Sequence, residues 1–352
     1  MLRWPVVSAA VAMSVVTALA ASASGSTRPG HALAGVSGAG HTGPAAAAAR
    51  ALTWSVVPSP SPSASSNGLP GVSCVSAADC IAVGSYETSA GLFLTLVETW
   101  NGTTWSVVPS PSPGTGNDML NGVSCVSAAD CTAVGDSTNQ TLVEAWNGTS
   151  WSVVPSPSRG IGGGILEGVS CVSPASCTAV GSQDIHRKFK TLIEAWNGTS
   201  WSVVPSPNRG NADNMLFGVS CVSAADCTAV GFGGGTLRVK NLIEAWNGTS
   251  WSVVPSPNRG NSNNVLASVS CLSAADCTAV GSFENAGRTA TLIEAWNGTS
   301  WTVVPSPNRL NADNILDGVS CVPVSGCTAA GHSQRFNGTI TKTLIESGTA
   351  SG

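Results

Sequence analysis

Six glutamates occupy one equivalent place in a segment that recurs along this 352-residue chain. They are Glu98, Glu144, Glu194, Glu244, Glu294 and Glu346. Carboxylates at equivalent positions could form a metal-binding or catalytic ring, but only if they converge on an axis. By strand alternation each glutamate shares one face with tryptophans, and a buried charge there must be hydrogen-bonded. We therefore expect the glutamates to accept hydrogen bonds from indole or backbone N–H groups and to serve the structure.

A local excess of positive charge is the second chemical pattern, in a chain whose formal net charge is -4. The residues that we predict to bind a ligand are His186, Arg187, Lys188, Lys190, Arg238 and Lys240. Such a patch on an acidic protein could hold an anionic polymer, and a merely solvated loop is the alternative. The predicted partner is an anionic cell-envelope polymer, a glycan or a protein, whereas the acidic balance of the chain argues against nucleic acid.

Loops rich in asparagine and aspartate recur between the repeats, and their side-chain oxygens are of the kind that calcium prefers. These loops lie at 117–118, 211–214, 261–264 and 311–314. Asx turns explain the same residues, because asparagine and aspartate side chains hydrogen-bond to the neighbouring backbone. We predict no catalytic residue, no metal and no cofactor, with calcium at these loops as the alternative.

The twelve cysteines form six pairs with identical spacing. The pairs are Cys74/Cys80, Cys125/Cys131, Cys171/Cys177, Cys221/Cys227, Cys271/Cys277 and Cys321/Cys327. Zinc prefers two close pairs that converge, whereas a single close pair in an exported chain favours a disulfide. We predict one bridge within each pair, across the turn of a short hairpin.

Each repeat of about 50 residues contains four stretches of β-forming residues, which is typical of one propeller blade. One hairpin is centred on Asn197-Gly198, and an Asn-Gly pair flanked by β-formers is typical of a type I′ turn. The repeats lie near 71–111, 121–157, 167–207, 217–257, 267–307 and 317–346, with an additional strand in 52–60.

The two ends of the array complement each other. Residues 54–58 repeat the fourth strand with no third strand before it, and residues 343–346 repeat the third strand with no fourth strand after it. If the two segments pair, the sixth blade is complete and no sheet edge stays open between the first and last blades. We predict an all-β, six-bladed β-propeller with four antiparallel strands per blade, the last blade closed by the N-terminal strand, and one disulfide per blade.

The blades resemble those of kelch and galactose-oxidase-like propellers. Those blades carry a glycine after the second strand, an aromatic residue at the end of the third and a tryptophan that opens the fourth, matched here by Gly181, Trp196 and Trp201. The kelch double glycine is reduced to a single one, and the cysteine pairs are additional. The resemblance implies the fold and transfers no activity. The chain also resembles the cysteine-repeat secreted proteins of high-GC Gram-positive bacteria.

The N-terminal residues predict export. Arg3 precedes an apolar run that ends in small residues, which together have the form of a signal peptide over residues 1–23. A retained membrane anchor is the alternative, although the run is shorter than the ~20 residues of a spanning helix. Residues 24–51 are predicted to be a flexible Ala/Gly/Ser linker and residues 52–348 the propeller. We expect a secreted, extracellular monomer with no membrane span after cleavage.

Variation among the repeats is gathered on one side of the predicted propeller, in the loops between second and third strands. Loops on a rigid frame are where binding usually resides. A galactose-oxidase-type copper site needs tyrosine and histidine ligands, and the predicted propeller contains only Tyr86, His186 and His332 for this role. We predict a non-enzymatic binding or scaffold module whose ligand contacts the variable-loop side. The alternative is a carbohydrate-active hydrolase or lyase with its site on the same side.

Overall fold

The computed structural model describes residues 57–157, 163–234, 238–285, 287–323, 326–335 and 341–348. Its strands follow one another in antiparallel hairpins and form six sheets. All of the strands belong to one compact unit, whose described part begins at Ser59. Within the described ranges, no helix is long and apolar enough to cross a membrane.

The first three sheets have four strands each. Blade 1 consists of β1 (Asn67–Ser76), β2 (Asp79–Glu87), β3 (Phe93–Trp100) and β4 (Trp105–Val108). Blade 2 consists of β5 (Asp118–Ser127), β6 (Asp130–Ser137), β7 (Gln140–Trp146) and β8 (Trp151–Val153). Blade 3 consists of β9 (Gly164–Ser173), β10 (Ser176–Asp184), β11 (Phe189–Trp196) and β12 (Trp201–Val203).

The remaining sheets repeat this order, except that the last one has three strands. Blade 4 consists of β13 (Asp213–Ser223), β14 (Asp226–Gly234), β15 (Val239–Trp246) and β16 (Trp251–Val253). Blade 5 consists of β17 (Asn264–Ser273), β18 (Asp276–Asn285), β19 (Arg288–Trp296) and β20 (Trp301–Val304). Blade 6 consists of β21 (Ala312–Val322), β22 (Gly326–Arg335) and β23 (Thr341–Gly348).

The predicted six-bladed β-propeller is therefore confirmed. The N-terminal strand that we predict to close blade 6 falls mainly on residues 54–56, which lie outside the described residues, and Val57 and Pro58 lie in no strand. Closure of the last blade therefore stays a prediction. The predicted signal peptide and linker also lie outside the described residues.

The hydrophobic core is divided into layers between neighbouring blades. Because side chains alternate along a strand, each blade presents valine or isoleucine to the next blade and leucine and tryptophan to the preceding one. At the first interface, Val83 and Val97 of blade 1 pack with Leu120, Leu142 and Trp151 of blade 2. Equivalent clusters join each following pair up to blades 5 and 6. The blades are thus stabilised chiefly by their neighbours.

The two end blades keep one face less covered than the others. Val72 in blade 1 is 64% exposed, whereas its equivalent Val269 is 7% exposed. Ile345 in blade 6 is 51% exposed, whereas Ile193 is fully buried. Among the described strands, no packing comparable to that between successive blades joins blade 6 to blade 1. These two faces are the ones that ring closure would cover.

The Asn-Gly hairpins confirm the predicted strand pairing but use a longer loop. Trp196 lies opposite Trp201, so residues 197–200 form the connection. Gly198 has a φ of 88°, but Asn197 does not have the positive φ that a type I′ turn requires. Instead, the Asn197 Oδ1 accepts hydrogen bonds from the backbone N–H groups of Thr199 and Ser200, both at 2.9 Å. The asparagine side chain therefore caps the backbone N–H groups of this loop.

The predicted disulfides are confirmed, one within each blade. They are Cys74–Cys80, Cys125–Cys131, Cys171–Cys177, Cys221–Cys227, Cys271–Cys277 and Cys321–Cys327. In each bridge the two cysteines lie opposite each other on the first and second strands, with a Cα–Cα distance of 4.0 Å in blade 3. A loop this short gives a stabilisation of about 2 kcal/mol in the chain-entropy model. Bridges of this kind are typical of an oxidising environment.

The second cysteine of each bridge has a packing role that was not predicted from the spacing. In the four-stranded blades this cysteine is buried: Cys80, Cys131, Cys177, Cys227 and Cys277. Its equivalent Cys327, in the three-stranded blade 6, is half-buried. Cys131 belongs to the same apolar cluster as Leu120 and Trp151, at the interface with blade 1. The bridges therefore contribute to the core between blades as well as closing their hairpins.

The inner strands of adjacent blades approach closely at a β-bulge. In β5 the register shifts between Leu120 and Gly122, which leaves Asn121 as the extra residue. A Cβ on Gly122 would lie 3.0 Å from the backbone oxygen of Glu167 in the next inner strand. Such an approach favours glycine, because a side chain makes the neighbouring backbone shift slightly, although blade 5 has Ser268 at the equivalent position. The glycine of the repeated Gly-Val-Ser-Cys segment therefore allows neighbouring blades to meet.

Candidate functional site

The repeated glutamates are tied to serines of the preceding repeat. In blade 2, the Oγ of Ser110 donates a hydrogen bond of 2.6 Å to Glu144 Oε2. Ser110 belongs to the Pro-Ser-Pro segment that follows the fourth strand of blade 1. The same bond recurs in all six blades, from Ser59, Ser110, Ser156, Ser206, Ser256 and Ser306. Each bond therefore fastens a blade to the segment before it.

The donor to these glutamates differs from the one that we predicted. The carboxylates accept from serine hydroxyls, and the indole N–H of Trp196 instead donates to the backbone oxygen of Pro174 at 3.1 Å. That bond holds the third strand against the turn between the first two strands. The equivalent tryptophans in the other four-stranded blades do the same. The prediction that the glutamates serve the structure agrees with this geometry.

Burial raises the pKa of these carboxyls, most strongly in blades 2 to 5. The side chains of Glu144 and Glu244 are fully buried. Desolvation raises the pKa of Glu144 to about 7 and that of Glu244 to about 8, while the serine hydrogen bonds act in the opposite direction. The second oxygen, Oε1, has no hydrogen-bond partner in either residue. These groups hold protons close to neutral pH, but they cannot reach a substrate.

The predicted basic residues lie at the variable-loop end of blades 3 and 4. Lys188 Nζ donates to the backbone oxygen of Asn211 at 2.9 Å, and Lys190 Nζ donates to that of Ala212 at 3.1 Å. Arg238 makes the equivalent contact at the next interface, where its Nη1 donates to the backbone oxygen of Asn261 at 2.6 Å. Lys188 and Lys190 thus both contact the loop at 211–212. Arg238 contacts the equivalent loop one blade further on.

The other three predicted residues surround these contacts. His186 and Arg187 form the exposed tip of the loop between β10 and β11, with φ values of 56° and 64°. Lys240 lies in β15 and is half-buried. The hydrogen bonds of Lys188, Lys190 and Arg238 all go to neutral backbone oxygens. Within the described ranges, none of the three cations forms an ion pair with a carboxylate, although Asp213 binds the backbone of Phe189 between the two lysines.

Arg209 is a basic residue of this region that was not predicted. It lies in the loop that Lys188 and Lys190 contact, and its Nη1 donates to the backbone oxygen of Asn241 at 2.7 Å. It therefore lies beside Lys240, between the basic residues of blade 3 and those of blade 4. The Pro-Asn-Arg segments ending at Arg209, Arg259 and Arg309 were a visible signal. We call Lys188, Lys190, Arg209, Arg238 and Lys240, with the loop tip at His186 and Arg187, the basic surface.

The side chains of the Asn- and Asp-rich loops form structural hydrogen bonds. Asp213 Oδ1 accepts a hydrogen bond of 3.0 Å from Phe189 N, and Asn263 Oδ1 accepts one of 2.9 Å from Val239 N. Asn214 Oδ1 accepts one of 2.8 Å from Arg209 N. These contacts cap the start of a third strand or close a loop, but their donors lie 5 or 24 positions away, so they are not the local Asx turns that we predicted. No cluster of three or more His, Cys, Asp or Glu that could hold a metal occurs in the described ranges, and calcium binding stays an untested prediction.

A second variable set occupies the bulges of the inner strands. The bulge residues are Pro70, Asn121, Glu167, Phe217, Ala267 and Asp317. In blade 4, the rings of Phe217 and Phe232 lie 5.8 Å apart, and in blade 6 the Nδ1 of His332 lies 2.9 Å from Asp317 Oδ2. This set was not predicted from the sequence. Its signal is a position that differs in every repeat while the neighbouring Leu and Val-Ser stay constant.

Between blades 2 and 3 the bulge residue Glu167 lies near two further acidic residues, Asp136 and Asp118. Burial raises the pKa of Asp136 to about 6, and the nearby charge of Asp118 adds to the effect. Burial likewise raises the pKa of Glu167 to about 7, with a smaller contribution from Asp136. Asn121 Nδ2 donates to the backbone oxygen of Leu166 across the same interface at 2.9 Å. Two carboxyls whose pKa values are raised towards neutral pH thus lie at this interface.

Comparisons with known proteins support the fold and leave the function open. No protein-family model matches the chain, so the kelch-like character stays a prediction, and no curated protein matches it. A polysaccharide lyase of family PL25, an ulvan lyase bound to -[GlcA(1-4)Rha3S]-, matches with a TM-score of 0.51 and 8% identity over 78% of each chain. YCF48 bound to a D1 peptide matches with a TM-score of 0.47 and 15% identity, over 77% of this chain and 79% of that one.

A third structure shows how widely such similarities extend. The GH74 xyloglucanase from Xanthomonas campestris matches with a TM-score of 0.47 and 10% identity, over 75% of this chain and 45% of the xyloglucanase. The three similar proteins have different functions by name, at identities that carry only the fold. The chain is a six-bladed β-propeller, and its function must be argued from its own residues.

Proposed function

We propose that this propeller is a non-enzymatic binding module that holds an anionic polymer on its basic surface. The single observation that supports the proposal is that Lys188, Lys190 and Arg238 direct their hydrogen bonds to backbone oxygens and not to carboxylates. The three cations are thereby held in place without a direct ion pair to any described carboxylate. An ammonium group has three donors, so each lysine keeps further donors for a ligand.

The compartment and the fold are compatible with this role. We propose that the chain is secreted, since six disulfides persist best in an oxidising environment. A solved structure with a similar fold is a polysaccharide lyase bound to -[GlcA(1-4)Rha3S]-. The repeated negative charges of an anionic cell-envelope polymer would bind to the cations of the basic surface. This binding would weaken with salt because exposed charges are screened.

Replacing Lys188, Lys190 and Arg238 together with serine is expected to weaken binding to an anionic polymer by at least about tenfold, or about 1.4 kcal/mol. The probes are purified wall teichoic acid and heparin, with uncharged dextran beside them, and dissociation constants are measured at low and at physiological salt. The reason is the loss of three fixed cations with no carboxylate left unpaired.

The matched control replaces three cations of the sixth blade region, Arg309, Arg335 and Lys342, with serine. It makes the same change in net charge and should alter binding by less than about twofold, because those residues lie outside the basic surface. If both triple variants lost the same affinity for the polymer, net charge alone would explain the binding, and the proposal would be contradicted. Equal retention of the wild type on dextran would contradict it as well.

A carbohydrate-active hydrolase or lyase is the second candidate function. The observation that favours it is the pair Asp136 and Glu167, whose pKa values are raised by burial to about 6 and about 7. A carboxyl with a raised pKa can donate a proton to a leaving group, and a second one can act as base. Release of reducing ends or unsaturated sugars from the same polymers separates the two functions, since a binding module releases neither.

A further inference from the structure

A groove between blades 4 and 5 lies at the end of the strands opposite the basic surface. It has a volume of 360 Å³, within the range of small-ligand sites. Trp246, Asp226 and Asn247 of blade 4 line one side, and Trp296 and Trp301 of blade 5 line the other. The groove therefore joins aromatic rings to a carboxylate and an amide.

The tryptophans of this groove are held in fixed positions. The indole N–H of Trp246 donates to the backbone oxygen of Ala224 at 3.2 Å, and that of Trp296 donates to the backbone oxygen of Ala274 at 3.0 Å. The Trp296 ring also packs on Trp301 with centroids 5.7 Å apart and planes tilted by 38°. Trp246 and Trp296 stay half-exposed. Ring surface is thus available without further ordering, which lowers the entropic cost of binding.

The polar groups of the groove have hydrogen-bonding capacity to spare. Asn247 Oδ1 already accepts bonds from Thr249 and Ser250, which leaves its Nδ2 as a free donor. Among the described residues, no donor is hydrogen-bonded to the partly exposed carboxylate of Asp226. The rim of the groove therefore offers one donor and one charged acceptor beside the rings.

The same residue types recur at the equivalent interfaces. Half-exposed tryptophans occupy the position of Trp246 also in blades 1, 2 and 3, as Trp100, Trp146 and Trp196. Aspartate occupies the position of Asp226 also in blades 1 and 2, as Asp79 and Asp130, and serine occupies it in blade 3 as Ser176. Similar residues at successive interfaces suit a ligand built from repeated units.

We propose that these inter-blade grooves bind the sugar units of a neutral polysaccharide. A sugar ring has an apolar C–H face that can lie on an indole, and its hydroxyls can donate to Asp226 and accept from Asn247. The carboxylates of Asp226, Asp79 and Asp130 disfavour an anionic ligand. The close packing of Trp296 on Trp301 leaves no cage between their rings for a quaternary ammonium ion. Several weak grooves bound to one chain would act together and raise the affinity.

The test uses the full chain with three neutral hexasaccharides, of β-1,4-linked glucose, of β-1,4-linked N-acetylglucosamine and of β-1,4-linked mannose. We expect at least one of them to bind, with a change in tryptophan fluorescence. Replacement of Asp79, Asp130 and Asp226 together with alanine should weaken that binding by at least about tenfold. The single variant Asp226→Asn should weaken it as well, and it keeps the test usable if the triple variant does not fold.

The matched control replaces Glu87, Asp184 and Glu284 with alanine. These acids lie at the opposite ends of second strands, so binding of the hexasaccharide should change by less than about twofold. Failure of all three hexasaccharides to bind at millimolar concentration would overturn the proposal, and so would unchanged binding in both groove variants. The basic-surface variants should keep hexasaccharide binding, and the groove variants should keep teichoic acid binding, so the two proposals fail separately.

Discussion

The unfolding free energy of the propeller is expected to fall as the pH is raised from 5 to 8. The pKa of Glu144 is raised by burial from 4.5 to about 7 and that of Glu244 to about 8. Below the pKa of the unfolded chain, both the native and the unfolded state bind the proton, and the carboxyl does not lower the unfolding free energy. Between the pKa of the unfolded chain and that of the native state, the unfolded chain releases its proton while the buried carboxyl keeps it, so the unfolding free energy falls until the pH passes the folded pKa. A pKa shift of this size changes the unfolding free energy by about 3 kcal/mol for one carboxyl.

Guanidinium unfolding at pH 5, 6, 7 and 8 measures this dependence, and we expect the native state to be at least about 3 kcal/mol more stable at pH 5 than at pH 8. His332 acts in the same direction, because its hydrogen bond with Asp317 raises its pKa. Glu244→Gln isolates the carboxyl: the amide keeps an acceptor for Ser206 and cannot titrate, so the pH slope should become shallower. The exposed Glu284→Gln is the matched control, with an unchanged slope. Equal slopes in both variants would contradict the explanation.

Deleting residues 52–60 is expected to lower the melting temperature by at least about 5 °C. The deletion removes Ser59, whose Oγ donates a hydrogen bond of 2.6 Å to the buried Glu98. An unsatisfied buried acceptor costs about 1–3 kcal/mol. The deletion also removes the segment that we predict to be the fourth strand of blade 6. Differential scanning calorimetry at fixed pH measures the sum of both losses.

Two controls separate these contributions. A deletion of equal length inside the predicted linker, residues 36–44, should leave the melting temperature unchanged. Ser59→Ala removes only the hydrogen bond, so it should account for part of the loss. If Ser59→Ala destabilises the protein as much as the whole deletion does, residues 54–58 are not part of blade 6, and the predicted closure of the ring is wrong.

The blades could be predicted from the sequence because their determinants are local. The turn residues Asn197 and Gly198, the alternation that puts Leu192 and Ile193 on opposite faces, and the pair Cys171 and Cys177 all act within one hairpin or one strand. Repetition then multiplied each local signal by the number of blades. The side-chain cap in the connection between Trp196 and Trp201 was not predicted, since asparagine suits both a positive φ and such a cap.

The contacts between blades could not be predicted from the same patterns. The donor to Glu144 is Ser110, 34 positions earlier in the chain and in the segment that follows the preceding blade. Nothing in the local pattern distinguishes that serine from the backbone or an indole as the donor. The bulge residues such as Glu167 and Asp317 also needed the fold, because only a register shift in the inner strand reveals them as extra residues. Functional residues that depend on two blades at once therefore require coordinates.

The most direct test of polymer binding is hydrogen–deuterium exchange of the full chain with and without purified wall teichoic acid. We predict slower exchange in the segments that carry the basic surface, 184–190, 209–213 and 238–240, with little change in blade 6. Because Lys188 and Lys190 hydrogen-bond to the loop at 211–212, a bound polymer should stabilise both segments together. Protection confined to the Asn-Gly turns at the other end of the strands, or no protection anywhere at saturating polymer, would contradict the claim that the basic surface binds the ligand.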